Sequence, residues 1–327
     1  MKKLTGWVDK FKSEEFKISR KGKWYAIAPA LIILAGLIIV IVINFNLGMD
    51  FTGGQLVRIN GIADQETYTT YRARVTTVMN ETPNIGAFNI MRVNDDAGGM
   101  AIEIRFQNGS VSDDAIGGVT DGIIGRLNAE LGTAGDIENM QGVSASATRD
   151  HLITTVQAVG LALAVILVYM LFRFKFTSGV AALVGLVHDV LVMLAVTAIF
   201  RVQVNAAFIA ALITVVAYSI NNTLILFDRV RHLEKNNATK MSPEYITDRA
   251  VKETFTRTML TMITTLIPII VLLIFGVPLI REFAAPILFG LVAGTFSTIF
   301  VTTSLYVRFE NHKLWRLKNK KPAENKT

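Results

Sequence analysis

Polar side chains recur at helical spacing inside one of the most apolar stretches of the chain. Thr214, Tyr218 and the pair Asn221 and Asn222 are separated by four and then three or four residues, so they share one face of a helix. In lipid these groups need hydrogen-bond partners, which predicts that the face looks into a helix bundle or a water-accessible path. A single residue of this kind often only joins two helices, whereas the whole stripe favours a path for polar chemistry.

An acidic residue, Asp189, lies near the middle of another apolar stretch. A charge at the centre of the bilayer costs roughly 2.5–3.5 kcal/mol on insertion scales, so the carboxylate should face the bundle and have a partner. Two interpretations stay open: a charge relay, and a carboxylate that only positions helices. His188 is adjacent in the sequence but about 100° away around the helix, so we expect no ready-made dyad and interpret His188 as structural.

A third apolar stretch carries a basic residue and a proline on one predicted face. Its polar positions follow at intervals of four, three and four: Arg257, Thr261, Thr264 and Pro268. The proline predicts a kink. Arg257 either extends to the cytoplasmic interface or points inward, opposite the stripe described above. In the next stretch Gly290 and Gly294 predict a small-residue packing face.

Long apolar runs indicate the fold class. Of the 327 residues 51% are hydrophobic, and a helix needs about 20 mainly apolar residues to cross the bilayer. Six runs are long enough: 24–43, 152–172, 179–200, 204–227, 258–275 and 284–307. The first is long for a signal-peptide core and has no small-residue cleavage site after it, so it is interpreted as a retained span. We predict an α-helical integral membrane protein with six transmembrane helices and a small α+β ferredoxin-like exterior domain.

Basic residues are concentrated where cytoplasmic segments are expected. Eight Lys or Arg precede residue 24, seven lie in 227–257 and seven more follow from Arg308, whereas 45–150 has seven against fourteen Asp or Glu. The positive-inside rule then places both termini in the cytoplasm and 45–150 outside. The predicted parts are 1–44 (N-terminus and first span), 45–150 (exterior domain), 151–307 (five-helix bundle with cytoplasmic loop 228–257) and 308–327 (basic tail).

The composition excludes several classes of function. The net charge of +7 follows the predicted topology and suits attraction to membrane lipid, so nucleic-acid binding is not expected. The chain has no cysteine, which excludes disulfides, thiolate catalysis and cysteine metal sites. We expect no cofactor and no metal.

The exterior segment predicts one small domain. Its strand and helix patterns follow the order β-α-β-β-α-β, typical of a ferredoxin-like fold, over residues 55–60, 65–80, 87–94, 100–107, 112–131 and 137–145. A turn signal at 95–99 joins the middle strands. The segment has no histidine and only scattered acids, which favours a platform that contacts another protein and argues against an enzyme.

The entry to this domain carries an acid followed by two glycines. Gly53 and Gly54 allow a tight turn or a close backbone approach. Asp50 is expected to cap that turn.

Short motifs in a fixed order resemble those of the SecF branch of the SecD/SecF family. They are Asp50-Phe51-Thr52-Gly53-Gly54, His188-Asp189, Tyr218-Ser219-Ile220-Asn221, Phe227-Asp228-Arg229-Val230-Arg231 and Thr256-Arg257-Thr258. Each motif alone is weak, but their order along nearly the whole chain is specific. The resemblance implies a multi-pass subunit of the bacterial cytoplasmic membrane that works with SecD beside the SecYEG channel. The family belongs to the resistance-nodulation-division superfamily, which implies use of the proton motive force to help exported, unfolded polypeptides across.

The chain departs from the resemblance at two places. The family usually ends its fourth-span motif with an Asp, the proposed proton carrier, where this chain has Asn222. Since an amide cannot ionise at working pH, we expect Asp189 or an acid of SecD to carry protons, and Asn222 to hold its span against Arg257 or another group. A Gly-Pro-x-Val-Gly motif usual before the second span is replaced by Gly142-Val143-Ser144-Ala145-Ser146.

Two other functions stay open at this stage. One is a half-transporter of the same superfamily that exports small molecules or lipids. The other is an assembly factor that uses no energy, which the amide at position 222 favours.

Overall fold

The computed structural model describes residue 18 and residues 22–62, 64–94, 100–112, 114–132, 137–143, 145–237 and 241–319. The predicted turn at 95–99, most of the basic N-terminus and the last eight residues of the basic tail lie outside these residues. An apolar helix opens the described chain and a small α+β domain follows it. The elements up to the end of this domain are, in chain order, a helical turn (Gly22–Tyr25), the apolar helix α1 (Ile27–Ile43), a second turn (Met49–Thr52), β1 (Gly54–Ile62), α2 (Gln65–Glu81), β2 (Phe88–Asn94), β3 (Met100–Phe106), α3 (Ile116–Leu131) and β4 (Ile137–Val143).

The four strands form one antiparallel sheet in the order β2-β3-β1-β4. Ile59 of β1 pairs with Ile102 on one side and Ile137 on the other. Alternate strand residues lie on one face, where they form a core with α2 and α3. Asp64 caps α2 by accepting a hydrogen bond from Thr67 N at 2.7 Å, and the hydrogen bonds from Thr67 lower the pKa of this carboxyl.

Two boundaries in this domain differ from the sequence patterns. α3 begins at Ile116, later than the predicted residue 112, because hydrogen-bonded turns occupy the residues before it. β4 ends at Val143, before the predicted residue 145, and the next helix starts at Ala145.

The remainder of the described chain is helical. It comprises α4 (Ala145–Arg173), α5 (Phe176–Ile199), α6 (Ala206–Asn237), α7 (Pro243–Phe275), α8 (Pro278–Phe296), a π-helical turn (Ser297–Thr302) and α9 (Thr303–Asn319). Five stretches of the described residues are long and apolar enough to cross a membrane: Leu152–Met170, Phe176–Ile199, Ala206–Asn236, Pro243–Phe275 and Ile280–Arg316. α1 is also apolar but has 17 residues.

The segment 228–257, predicted as a cytoplasmic loop between two spans, is helical over most of its length. α6 continues to Asn237, and α7 already starts at Pro243. Ser242 caps α7 by accepting a hydrogen bond from Tyr245 N, and proline is well suited to the first helical turn. An ion pair between Arg229 and Glu253 ties the two extensions together.

Glycines set the closest approaches between the helices. A Cβ added at Gly36 of α1 would lie 2.5 Å from Ala195 of α5, and one added at Gly290 of α8 would lie 2.4 Å from Val215 of α6. The small-residue face predicted on the last apolar stretch is therefore confirmed. α7 passes through Pro268 as one continuous helix.

Candidate intramembrane polar site

Asp189 lies on α5 with its side chain fully buried. The hydroxyl of Ser219 on α6 donates a short hydrogen bond to Oδ2. Gly294 of α8 completes the contact, since a Cβ there would lie 3.3 Å from Ser219 Oγ and 3.5 Å from Asp189 Oδ2. Three apolar helices thus meet at the carboxylate, which has the partner expected of an acid at this depth.

The other carboxylate oxygen contacts the neighbouring histidine. Nδ1 of His188 lies 3.0 Å from Oδ1 of Asp189, so our expectation that the two residues form no dyad is wrong. The angle between adjacent helix positions separates the Cβ atoms, but the imidazole is long enough to reach back to the carboxylate. Nε2 of His188 is buried and has no hydrogen-bond partner among the described residues.

The predicted stripe on α6 divides between two sides of the helix. Asn222 is buried, whereas Thr214 and Asn221 are exposed. The Thr214 hydroxyl donates to the carbonyl of Ala210 in its own helix at 2.8 Å. Tyr218 is half-buried, and its hydroxyl has no partner within the described part of the chain. The structure therefore does not bring these residues together as one site.

The site predicted from the sequence did not include two hydroxyls of α6 that bond to neighbouring helices. Ser219 bonds to Asp189, and Thr223, one turn further, lies 3.2 Å from the hydroxyl of Thr298. A signal was present in the sequence, because both residues continue the four-residue spacing of the buried apolar side chains of α6.

Asn222 is not paired with Arg257, so that expectation is wrong. Both polar atoms of the Asn222 amide are buried without a hydrogen-bond partner among the described residues. Arg257 on α7 is exposed, and its guanidinium has no hydrogen bond or ion pair within the described chain. Thr261 and Thr264 of the same helix donate to carbonyls of their own backbone.

Asp50 caps a helix that is distant in the sequence, whereas the sequence predicted that it caps the adjacent turn. Its Oδ2 accepts a hydrogen bond from the backbone N of Ala206, the first residue of α6, at 2.8 Å. The preceding Asn205 accepts from Phe208 N at 3.0 Å and donates to Glu282 of α8 at 2.7 Å. A carboxylate at a helix N-terminus is favourable because it satisfies free N–H groups and complements the helix dipole.

The residues after this capping acid join α1 to the four-stranded sheet. Gly53 has a φ of 70°, a conformation that favours glycine. A Cβ at Gly54 would lie 2.5 Å from the carbonyl oxygen of Phe106 in β3, which confirms the predicted close approach. Phe51 packs against the apolar cluster formed by the membrane helices, and Thr52 donates to a backbone carbonyl one turn earlier.

Asp228 and Arg229 lie at the opposite end of α6 from Asp50. Asp228 pairs with Arg173 of α4 at 3.1 Å, and Arg229 pairs with Glu253 of α7. Because these pairs are partly exposed, each contributes at most about 1 kcal/mol. The two ion pairs connect the C-terminal part of α6 to α4 and α7, and they take no part in the contacts around Asp189.

The chemistry open to the site is proton exchange. A carboxylate that contacts an imidazole through one oxygen and a hydroxyl through the other can accept, hold and pass on a proton. Within the described ranges no group of three or more His, Asp or Glu residues could hold a metal ion.

These features define a polytopic membrane protein in which an α+β domain follows the first apolar helix and a buried acid lies among the later ones. Comparison with known proteins gives the family. Residues 123–312 match the family described as protein export membrane protein SecD/SecF, C-terminal. The chain belongs to the SecD/SecF family.

Similar proteins cover most of the chain. Protein translocase subunit SecF of Helicobacter pylori strain J99 is 30% identical over 86% of this chain and 83% of its own length. Protein translocase subunit SecDF of Bacillus subtilis is 25% identical over 92% of this chain. A crystal structure of SecDF, a translocon-associated membrane protein from Thermus thermophilus, matches 92% of this chain with a TM-score of 0.71 and 25% identity. The chain spans 39% of the length of each of these two SecDF proteins.

Proposed function

We propose that the chain is an accessory subunit of the bacterial Sec protein translocase that helps the proton motive force to drive export of unfolded polypeptides across the cytoplasmic membrane. The observation that carries the proposal is the alignment of most of the chain with proteins named Protein translocase subunit SecF. The subunit is not an enzyme. It acts by holding and moving other groups in the membrane and at its outer surface.

In this proposal six helices cross the membrane. α1 has 17 residues, the lower limit for a span, and it packs on α5 through Gly36. Both termini and the turn between α6 and α7 are cytoplasmic because the basic residues are concentrated there. The domain between α1 and α4, with sheet order β2-β3-β1-β4, is a ferredoxin-like domain on the outer side, where it contacts the exported chain or the SecYEG channel.

The partner in the membrane is SecD. α6 and α7 carry exposed polar side chains that the chain itself does not cover: Thr214, Asn221, Arg257 and Thr264. Polar side chains that face hydrocarbon without a partner are unfavourable, so a neighbouring protein should cover this face. The SecDF relatives, of which this chain spans about two-fifths, favour SecD as that neighbour.

Asp189 is the proton-exchanging acid of this subunit. It is a fully buried carboxylate in contact with an imidazole and a hydroxyl. Asn222 cannot replace it, because an amide does not ionise.

Reconstituted export tests the proposal. Vesicles that contain SecYEG and SecD should export a secreted protein faster when this chain is present and a proton gradient is imposed. The chain with residues 60–140 replaced by a flexible linker should still insert, yet give no stimulation. Stimulation that needs neither the chain nor its exterior domain would overturn the proposal.

A non-energised assembly role is the second candidate, and Asn222 favours it because an amide cannot ionise. It predicts stimulation that persists after the gradient is collapsed. A half-transporter of small molecules or lipids, in contrast, should not co-purify with the translocase from native membranes.

A further inference from the structure

Small and polar residues recur at every fourth position along the last membrane helix. From α8 through the π-helical turn into α9 they are Gly290, Gly294, Thr298, Thr302, Tyr306 and Glu310. On a regular α-helix residues four apart drift by about 40° per step, but the wider π turn sets back part of this drift. The line therefore stays in contact with α5 and α6 along its length.

Thr298 of this line forms a link with Thr223 of α6 beside the Asp189 site. Thr298 donates to the carbonyl of Gly294 at 2.8 Å, so its oxygen can accept the proton of the Thr223 hydroxyl, 3.2 Å away. Both threonines are buried. Thr223 is one helical turn from Ser219, the residue that bonds to Asp189.

The next hydroxyl on the line is that of Thr302, which is only 1% exposed. It has no hydrogen-bond partner among the described residues. It lies against Gly185 of α5, where an added Cβ would approach it to 2.1 Å. Gly185 is one turn from Asp189 on the same helix face. A buried hydroxyl without a partner is unfavourable, and internal water is the usual partner in such a place.

A cleft between α4, α5 and α6 opens beside this line. Its lining includes Met170, Gly179 and Ala182, and its only polar side chains, within the described chain, are those of Ser219 and Thr223. The small residues leave a narrow space next to the Ser219 and Thr223 hydroxyls, about enough for one water molecule.

Near its last residues the line contacts Glu234 of α6, a carboxylate that is paired with an exposed lysine. The hydroxyl of Tyr306 donates to Glu234 Oε1 at 2.7 Å, and Lys175 donates to Oε2 of the same carboxylate at 2.6 Å. The Lys175 side chain is 52% exposed. In the proposed orientation this is the cytoplasmic end of the bundle.

We propose that these hydroxyls and the water bound to them form a proton track from Asp189 to the cytoplasmic surface at Glu234. The proton released by the Asp189 carboxyl binds to a Ser219 or water oxygen, while that oxygen passes its own proton to the next along the line. Each oxygen ends with the protons it had at the start, and the last water releases one proton to the cytoplasm. The inference rests on the proposed role of Asp189 and adds the path by which its proton leaves.

Proton flux into vesicles that hold the full chain with SecD, followed with an enclosed pH-sensitive dye, tests the track. Thr302→Val and Thr298→Val remove a hydroxyl with little change of volume and should slow the flux about tenfold each, the effect of losing one hydrogen-bonded link. Thr302→Ser keeps the hydroxyl and should restore the flux. Thr303→Val is the matched control, since Thr303 is fully buried and donates to the carbonyl of Ile299 in its own helix at 2.6 Å.

The outcomes separate the track from the role of Asp189. Normal flux in both valine variants, with none in Asp189→Asn, overturns the track and leaves Asp189 as the acid. Flux that is insensitive to Asp189→Asn overturns both. Thermal unfolding of each variant identifies any flux loss that comes from misfolding, and Thr303→Val losing as much flux as Thr302→Val also overturns the track.

Discussion

Two of the residues that contact Asp189, Ser219 and Gly294, are small, and their small size lets α5, α6 and α8 approach one another closely. Gly294 leaves room for the carboxylate and the Ser219 hydroxyl to lie side by side, and the contact with His188 occupies the second oxygen. Each carboxylate oxygen therefore has one polar neighbour. The loss of either neighbour leaves part of a buried acid unsatisfied.

The hydrogen bond from Ser219 is predicted to stabilise the bundle. Ser219→Ala leaves Asp189 Oδ2 without its donor in a fully buried place, which should lower the free energy of unfolding by about 1–3 kcal/mol. Thermal unfolding of the purified chain measures the effect. Ser304→Ala is the control, because Ser304 donates only to its own helix, at the carbonyl of Phe300; equal losses in the two variants would contradict the assignment.

Asn222 is predicted to contribute nothing to stability through hydrogen bonds. Its amide is buried, and neither polar atom has a hydrogen-bond partner among the described residues, so Asn222→Leu removes an unsatisfied polar group of similar size. The melting temperature should stay the same or rise. A fall comparable to that of Ser219→Ala would reveal a partner for the amide.

Glycines determine how closely the membrane helices pack. Gly36 and Gly290 each place a backbone directly against a side chain of a neighbouring helix, on α5 and α6 respectively. Close backbone contact through small residues is the usual means of association where lipid gives no hydrophobic driving force.

A methyl group at one of these contacts should separate the helices. Gly290→Ala would put a Cβ 2.4 Å from Val215, and such overpacking should destabilise the chain by about 1–3 kcal/mol. Gly160→Ala on α4 is the matched control, because its Cβ would meet nothing within 4 Å. Thermal unfolding should separate the two, and similar melting temperatures would refute the packing account.

The elements were largely predictable from the sequence, and their contacts were less so. Apolar runs and strand alternation predicted the helices and strands because these patterns reflect burial directly. The extensions of α6 and α7 were missed, since paired charges, as in Arg229 with Glu253, made a helix look like a loop. The polar stripe was misjudged for a different reason. Residues spaced by three and four lie on the two sides of one helix face, so the spacing alone does not show which side is buried. The packing shows that Ser219 and Asn222 are buried, whereas Thr214 and Asn221 are exposed.

Over the whole molecule, the segment after α1 is the joint between the exterior domain and the bundle. Asp50 binds the start of α6, and Gln107 of the domain donates to the carbonyl of Leu47 at 3.0 Å. These contacts supplement the two covalent connections of the domain, the segment after α1 and the direct passage from β4 to α4. A force on the exterior domain would reach the start of α6, the helix that carries Ser219.

The proposed topology predicts labelling from opposite sides of the membrane. Single cysteines at Ser110 and Lys235, both exposed, should react with an impermeant thiol reagent from the outer and the cytoplasmic side respectively. Neighbouring Asn108 is unsuitable because it is 5% exposed. Labelling of both cysteines from one side would rule out the even alternation of six spans.

The measurement that tests the central claim most directly is reconstituted export with and without a proton gradient, for wild type, Asp189→Asn, Asn222→Leu and Arg257→Leu. Asp189→Asn should lose most of the gradient-dependent stimulation, because an amide at this position cannot exchange a proton. Asn222→Leu should keep it, and Arg257→Leu should lose part of it if the arginine lies at the SecD contact. Gradient-driven stimulation that survives in Asp189→Asn but disappears in Asn222→Leu would contradict the account.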